Sequence, residues 1–417
     1  MRILYTNPNQ IITVDTSGKN LKRGKQLGNV KPLSEHGIVV EDGIIKDLVP
    51  NPSISKLSTD KIIDLSGTVL LPGLVECHTH AAFAGSRSNE FLMRLGGASY
   101  EEIAEAGGGI TSTMKAVRSS SFEELVKLLK PRIDYFISQG VATLEIKSGY
   151  GLSFYDEIKL LQVINYFKAL SPIEIIPTFL GAHTYPPEYK NDHEQYLKLI
   201  VGELLPYIIK NKLADAIDAF CEKTAFSADE VDQIFSEAKK LGYKIRIHTE
   251  QFNNIGGLDI AIKHKALSVD HLEVIADEDL QKLSKGDTVA VLLPGVSFFL
   301  DYNYAPARQL INNNAIVALS TDFNPGSSHI PNLHLIMQLA ALKMKMSIEE
   351  IISAVTINAA KALGLSGKIG SIEIGKHADF SVFEGNDYSE ILYNIGNNLN
   401  KFTIKKGEVI FQRAETL

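Results

Sequence analysis

Short apolar runs recur along the chain, and what separates them changes twice. From residue 1 to about 68 the runs are strand-length and divided by turn residues; Gly37–Leu48 is two apolar runs around Asp42-Gly43, the pattern of a hairpin. From about 69 to 365, apolar strand candidates alternate with amphipathic stretches. The candidates are 69–76, 141–147, 174–180, 215–221, 244–248, 267–271, 288–293 and 315–321. Helix starts carry capping boxes, in which a serine side chain and a glutamate three residues on each accept from the other's backbone N–H: Ser99 with Glu102, Ser121 with Glu124, Ser227 with Glu230, Ser347 with Glu350. Strand-like runs return at Asp379–Phe383 and Lys406–Phe411. Low-complexity tracts and short repeats are absent.

This pattern predicts an α/β chain with a (β/α)8 TIM-like barrel over 69–365 and a small β-sandwich domain formed from both chain ends, 1–68 and 366–417. A doubly wound open sheet shows the same alternation. The polar residues favour the barrel, because barrel chemistry gathers at the C-terminal ends of strands. The first candidate strand runs into Cys77-His78-Thr79-His80, and Gly181-Ala182-His183 follows the third. The fifth ends at His248, the sixth at Asp270-His271 and the eighth at Thr321-Asp322. Of 11 histidines, five fall at or just past these ends.

Along a strand, residues two apart share a face, so His78 and His80 leave on one side. With His248 and Asp322 they form a three-imidazole, one-carboxylate set suited to one divalent metal ion, zinc or ferrous iron. Such an ion brings the pKa of water to about 7. Asp322 is also placed to take that water's proton.

Composition narrows the setting. Net charge is −7 in 417 residues, which offers no basic surplus for nucleic acid. No run of 18 apolar residues occurs, so no membrane partner is expected. Two cysteines, Cys77 and Cys221, sit in apolar runs and read as small buried hydrophobes; a cytoplasmic protein is expected.

The chain resembles the amidohydrolase superfamily and, more narrowly, the imidazolonepropionase family of histidine breakdown. The stretches that carry the resemblance are Pro72-Gly73-Leu74-Val75 through His80, Gly85-Ser86-Arg87, Ala106-Gly107-Gly108-Gly109-Ile110, Lys147-Ser148-Gly149-Tyr150-Gly151, Gly181-Ala182-His183 and Thr321–Ser328. The resemblance implies hydrolysis of 4-imidazolone-5-propanoate to N-formimidoyl-L-glutamate, with metal ligands at His78, His80, His248 and Asp322. It implies substrate contacts at Arg87, Tyr150 and His183, with Asn324, Gly326 and Ser327 on the product side. Arg87 is assigned to the propionate tail, since guanidinium meets carboxylate through two parallel bonds. Where some family members carry glutamate three residues after the strand-five histidine, this chain has Gln251. Glutamine orients a ring or carbonyl but moves no proton, so Asp322, His271 and His183 are the candidate proton carriers. A small-molecule substrate and a homodimer are expected.

Three rival functions each meet an objection. Nucleobase deaminases of this superfamily rely on the glutamate that Gln251 replaces. Two-metal imidases commonly use a carboxylated lysine at the end of strand four, which here reads Phe220-Cys221-Glu222 with Lys223 beyond. A non-catalytic scaffold would have lost ligands, and all four are present. The glycines at 107–109 lack the Gly-Lys-Ser/Thr ending of a phosphate loop and read as a tight loop at the barrel mouth.

Overall fold

A computed structural model describes residues 1–54, 57–98, 102 and 108–414. Its centre is an eight-stranded sheet: Leu74–Glu76 (β1), Val141–Lys147 (β2), Glu174–Ala182 (β3), Ala216–Cys221 (β4), Lys244–Thr249 (β5), Ser268–His271 (β6), Val289–Leu292 (β7) and Ile316–Leu319 (β8). Spatial order follows chain order and each neighbouring pair is parallel. The sheet closes just past β1 and β8: Asp322 N–H donates to His78 O at 3.1 Å, and His80 N–H to Phe323 O at 2.9 Å. An open doubly wound sheet has two edges that never meet, so this closure decides for the barrel. Three capping boxes form as expected, at Ser121, Ser227 and Ser347. The box at Ser99 falls on a residue outside the described ones.

The first predicted strand is two strands. Thr68–Pro72 pairs antiparallel with Phe380–Glu384 and parallel with Gln10–Ile12, in a different sheet from β1. The chain crosses between sheets at Gly73, whose N–H donates to Asp379 O at 2.8 Å. A Cβ at Gly73 would lie 2.7 Å from Ala142 Cβ, so only glycine fits this crossing. The apolar run stays unbroken because both halves are buried on both sides, which hides the switch from the hydrophobic pattern.

The second body is a sandwich. One sheet orders Ile44–Pro50, His36–Glu41, Arg2–Thr6 and Lys61–Asp64; the other orders Glu408–Gln412, Asn400–Lys405, Phe380–Glu384, Thr68–Pro72, Gln10–Ile12 and Pro32–Leu33. Ile3, Tyr5, Val40, Leu70, Phe380, Val382 and Ile404 fill the space between the sheets. The hairpin expected at Asp42-Gly43 is present, with both residues at positive φ. Among the described residues no helix is long and apolar enough to cross a membrane.

Candidate metal centre

The segment from Cys77 to His80 leaves β1 and is clamped on both sides. Cys77 N–H donates to Ser320 Oγ at 3.1 Å, Thr79 Oγ1–H to Glu145 O at 2.6 Å, and Lys147 N–H to Thr79 O at 2.9 Å. With the backbone held by β2 and by the end of β8, alternation sends His78 and His80 into the barrel. His248 enters from β5, and Asp322 enters from past β8 in the left-handed region. All four are 3% exposed or less. Asp322 Oδ1 lies 3.3 Å from His78 Nε2 and 3.2 Å from His80 Nε2, and His248 Nε2 lies 3.2 Å from His80 Nε2.

Two observations test whether a cation fits between them. Ligands about 2.0–2.1 Å from one ion in a tetrahedron are roughly 3.3–3.4 Å apart, close to the spacing found. His78 Nε2 and Asp322 Oδ1 are buried yet have no hydrogen-bond partner among the described residues. Unpaired buried polar atoms are costly, and a shared cation would satisfy them. His78, His80 and Asp322 form one group able to hold a metal, and His78, His248 and His271 form another.

The imidazoles are aimed from below. Asp270 Oδ2 accepts from His78 Nδ1 at 2.6 Å, and Asp218 Oδ1 from His248 Nδ1 at 3.0 Å. Fixing the proton on Nδ1 leaves each Nε2 as the lone-pair donor. Lys147 Nζ then bridges Glu145 Oε1 at 2.8 Å and Asp218 Oδ2 at 2.9 Å, and Arg246 stands 3.4 Å from Glu145. Burial works against the Lys147 ammonium, but Asp218 and Glu145 outweigh it and hold it charged. Burial pushes Glu76 up to about 8, so near neutral pH it is largely the neutral acid, hydrogen-bonded with Ser320 and Thr321. In this network four carboxylates, Glu145, Asp218, Asp270 and Asp322, face two cations, Lys147 and Arg246. Carboxylates outnumber the lysine and arginine here, an imbalance that a bound cation would relieve.

Above this floor opens a cavity of about 410 Å³, within the range of small-molecule sites. The substrate positions expected from the sequence come together on its wall: Arg87, Tyr150, His183, Gln251, His271, Asn324, Gly326 and Ser327. His183 stacks on His80, ring centroids 5.1 Å apart, and its Nδ1 donates to Gly149 O at 2.9 Å. Burial, aided by His80, pulls its pKa down to about 3. It is a neutral ring whose Nε2 accepts, suited to a substrate N–H and not to a developing oxyanion. His271, at φ 89°, turns Nδ1 toward Glu273 at 3.4 Å. Asn324 serves its own turn, its Oδ1 accepting from Gly326 N–H at 2.8 Å and Ser327 N–H at 2.7 Å. Burial raises the Tyr150 phenol's pKa, so the hydroxyl keeps its proton.

Several supporting residues receive no role from the sequence patterns above, Lys147 appearing there only within a stretch shared with the family. Asp218, Glu145, Lys147 and Arg246 are charged residues inside apolar strands, and that oddity is the signal they carry. Glu157, fully buried, accepts from the N–H groups of Gly149, Gly151 and Leu152 and shapes the Lys147–Gly151 loop. Glu90 holds Arg87 and has no signal beyond helix spacing.

The amidohydrolase family model matches residues 69–410, which takes in the barrel and the C-terminal strands. The imidazolonepropionase of Bdellovibrio bacteriovorus is 42% identical over 417 residues, covering 99% of this chain and 97% of that protein. That of Flavobacterium psychrophilum is 40% identical over 98% of this chain and 100% of its own length. Among solved structures, an adenosine deaminase from Xanthomonas campestris with bound zinc superimposes with a TM-score of 0.71 over 98% of this chain and 92% of its own, at 16% identity, a likeness of fold. A family model that spans most of the chain and relatives of this identity along nearly its full length agree: the chain belongs to the amidohydrolase family, in its imidazolonepropionase branch.

Proposed function

We propose that this chain opens the ring amide of 4-imidazolone-5-propanoate with water to give N-formimidoyl-L-glutamate, acting as a cyclic-amide hydrolase. The observation that carries the reading is the joining of four convergent buried donor atoms to a cavity lined by Arg87, Tyr150 and His183. The full-length likeness to curated imidazolonepropionases supports the choice of substrate.

His78, His80, His248 and Asp322 would hold one zinc or iron ion. When bound, such an ion supplies a Lewis acid that brings the pKa of water near neutrality. The side chains do the rest. Asp322, a carboxylate set against His78 and His80, receives the proton of the attacking water and later returns it to the departing ring nitrogen. His271, turned by Glu273, donates to the carbonyl oxygen when both its ring nitrogens carry protons; one such donor contributes about 10²–10³ in rate. His183 accepts from the ring N–H, Gln251 orients the ring, and Tyr150 closes one wall. Arg87 meets the propionate, while Asn324, Gly326 and Ser327 receive the opened product. A cytoplasmic homodimer is the expected setting; the net charge of −7 and two unpaired buried thiols accord with an enzyme of small metabolites and not of nucleic acid.

The test is ultraviolet decay of imidazolonepropionate with purified protein, before and after chelation. Decay that stops with chelator and returns with zinc or iron is expected. No decay with fully metal-loaded protein overturns the substrate, and decay indifferent to chelation overturns the metal.

A further inference from the structure

Arg87 is not a free cation. Its Nε and Nη2 both lie on Oε2 of Glu90, at 2.8 and 2.7 Å. Its Nη1 lies so close over Gly326 that a Cβ there would collide with it. The other Glu90 oxygen accepts from Gly109 N–H at 3.0 Å, so this carboxylate ties the helix Ser88–Leu95 to Gly109; Gly107 lies outside the described residues. Arg87 is therefore positioned with care, but half its charge is already answered.

A second arginine lines the same cavity. Arg94 stands seven residues after Arg87, two helical turns on, and so faces the same side. Its Nε is buried and has no hydrogen-bond partner among the described residues. Its guanidinium carbon sits 5.1 Å from the Phe299 ring centroid and 5.8 Å from that of Phe91, and these two rings stack 5.2 Å apart. Aromatic faces hold the cation without using its N–H edges. A buried donor left unmade costs free energy, and a ligand oxygen would answer it. Arg87, Glu90 and Arg94 together carry one net positive charge, which matches one carboxylate.

We propose that Arg94 is a specificity-determining residue that grips the substrate's carboxylate tail jointly with Arg87; the inference rests on the imidazolonepropionate reading above. Glu90 serves as the positioning residue between the two. It holds Arg87 toward Gly326, and Arg94 supplies an Nε donor that has no partner among the described residues. A flat guanidinium fork is needed, because a carboxylate takes two parallel bonds from it.

The experiment uses the metal-loaded enzyme with two substrates, imidazolonepropionate and its propionamide analogue. For Arg94→Ala the KM of the acid should rise roughly 10- to 100-fold, the range of a charge-assisted hydrogen bond. The loss on the amide should be much smaller, so the preference for acid over amide falls by about tenfold or more. Arg94→Lys keeps the charge but not the fork, and should recover part of that preference. An unchanged KM for the acid, or equal losses on acid and amide, overturns the assignment, since a role in packing the helix would move both substrates alike. If the wild-type enzyme leaves imidazolonepropionate intact, the substrate reading falls and takes this inference with it. If wild type and Arg94→Ala turn it over alike, only the role of Arg94 falls.

Discussion

The floor of the cavity and its mouth are built on opposite terms. The floor is strand ends: His78, Glu145, Lys147, Asp218, Arg246, His248 and Asp270 come from β2, β4, β5, β6 and the turn after β1, and all are buried. Its charges answer one another through short contacts, from Asp270 to His78 and from Asp218 to both His248 and Lys147. The mouth is loops and one short helix, Ser88–Leu95, which buries no residue and leaves Leu92 64% and Leu95 70% exposed. A buried, crowded floor holds its donor atoms in fixed positions, which metal chemistry demands. The mouth presents a few directed groups, Arg87, Arg94 and Tyr150, to which the proposed selection of substrate is assigned. On the proposed function, reaction type and substrate identity reside in different parts of the same cavity.

That division can be broken. The largest effect should come from His78→Ala, which should lose bound metal and activity together, by about a thousandfold or more in rate. Full metal occupancy in that variant, measured by elemental analysis, would remove His78 from the ligand set. Next is His271→Ala, where kcat should fall about 10²–10³-fold while metal stays. Loss of metal would move His271 from the wall into the floor as a ligand, an outcome that its proximity to His78 and His248 makes worth checking.

Asp270→Asn should sharpen the comparison from below. It keeps the shape but weakens the hold on His78 Nδ1, and metal affinity should fall about 10–100-fold in competition with a chelator. An unchanged affinity would mean the ligands need no support. The smallest effect belongs to the mouth. Arg87→Ala should raise KM for imidazolonepropionate by about tenfold, the lower end for a charge-assisted bond because Glu90 already shares that charge. Metal content should not change, and a parallel loss of metal would join mouth to floor.

Much of the barrel and its floor is legible in the chain. Alternation of strand and helix signals marks the barrel, and five of the histidines sort to strand ends. Period-two geometry alone puts His78 and His80 on one face. The strand expected at 69–76 is legible as apolar but not as two strands, because buried sheet and buried sheet look alike in composition. The charges of Lys147 and Asp218 are visible as letters, while their partnership is not.

By itself, then, the sequence determined which residues could bear the chemistry and on which face of each strand they stand, since those follow from local backbone geometry. Only the tertiary structure decided who meets whom. Closure of the barrel brings Asp270 to His78 and Asp218 to Lys147 across long stretches of chain, and the switch at Gly73 hands the chain from one sheet to the other. Strand order and register set those meetings, and both depend on the packing of the whole sheet, which no local pattern encodes.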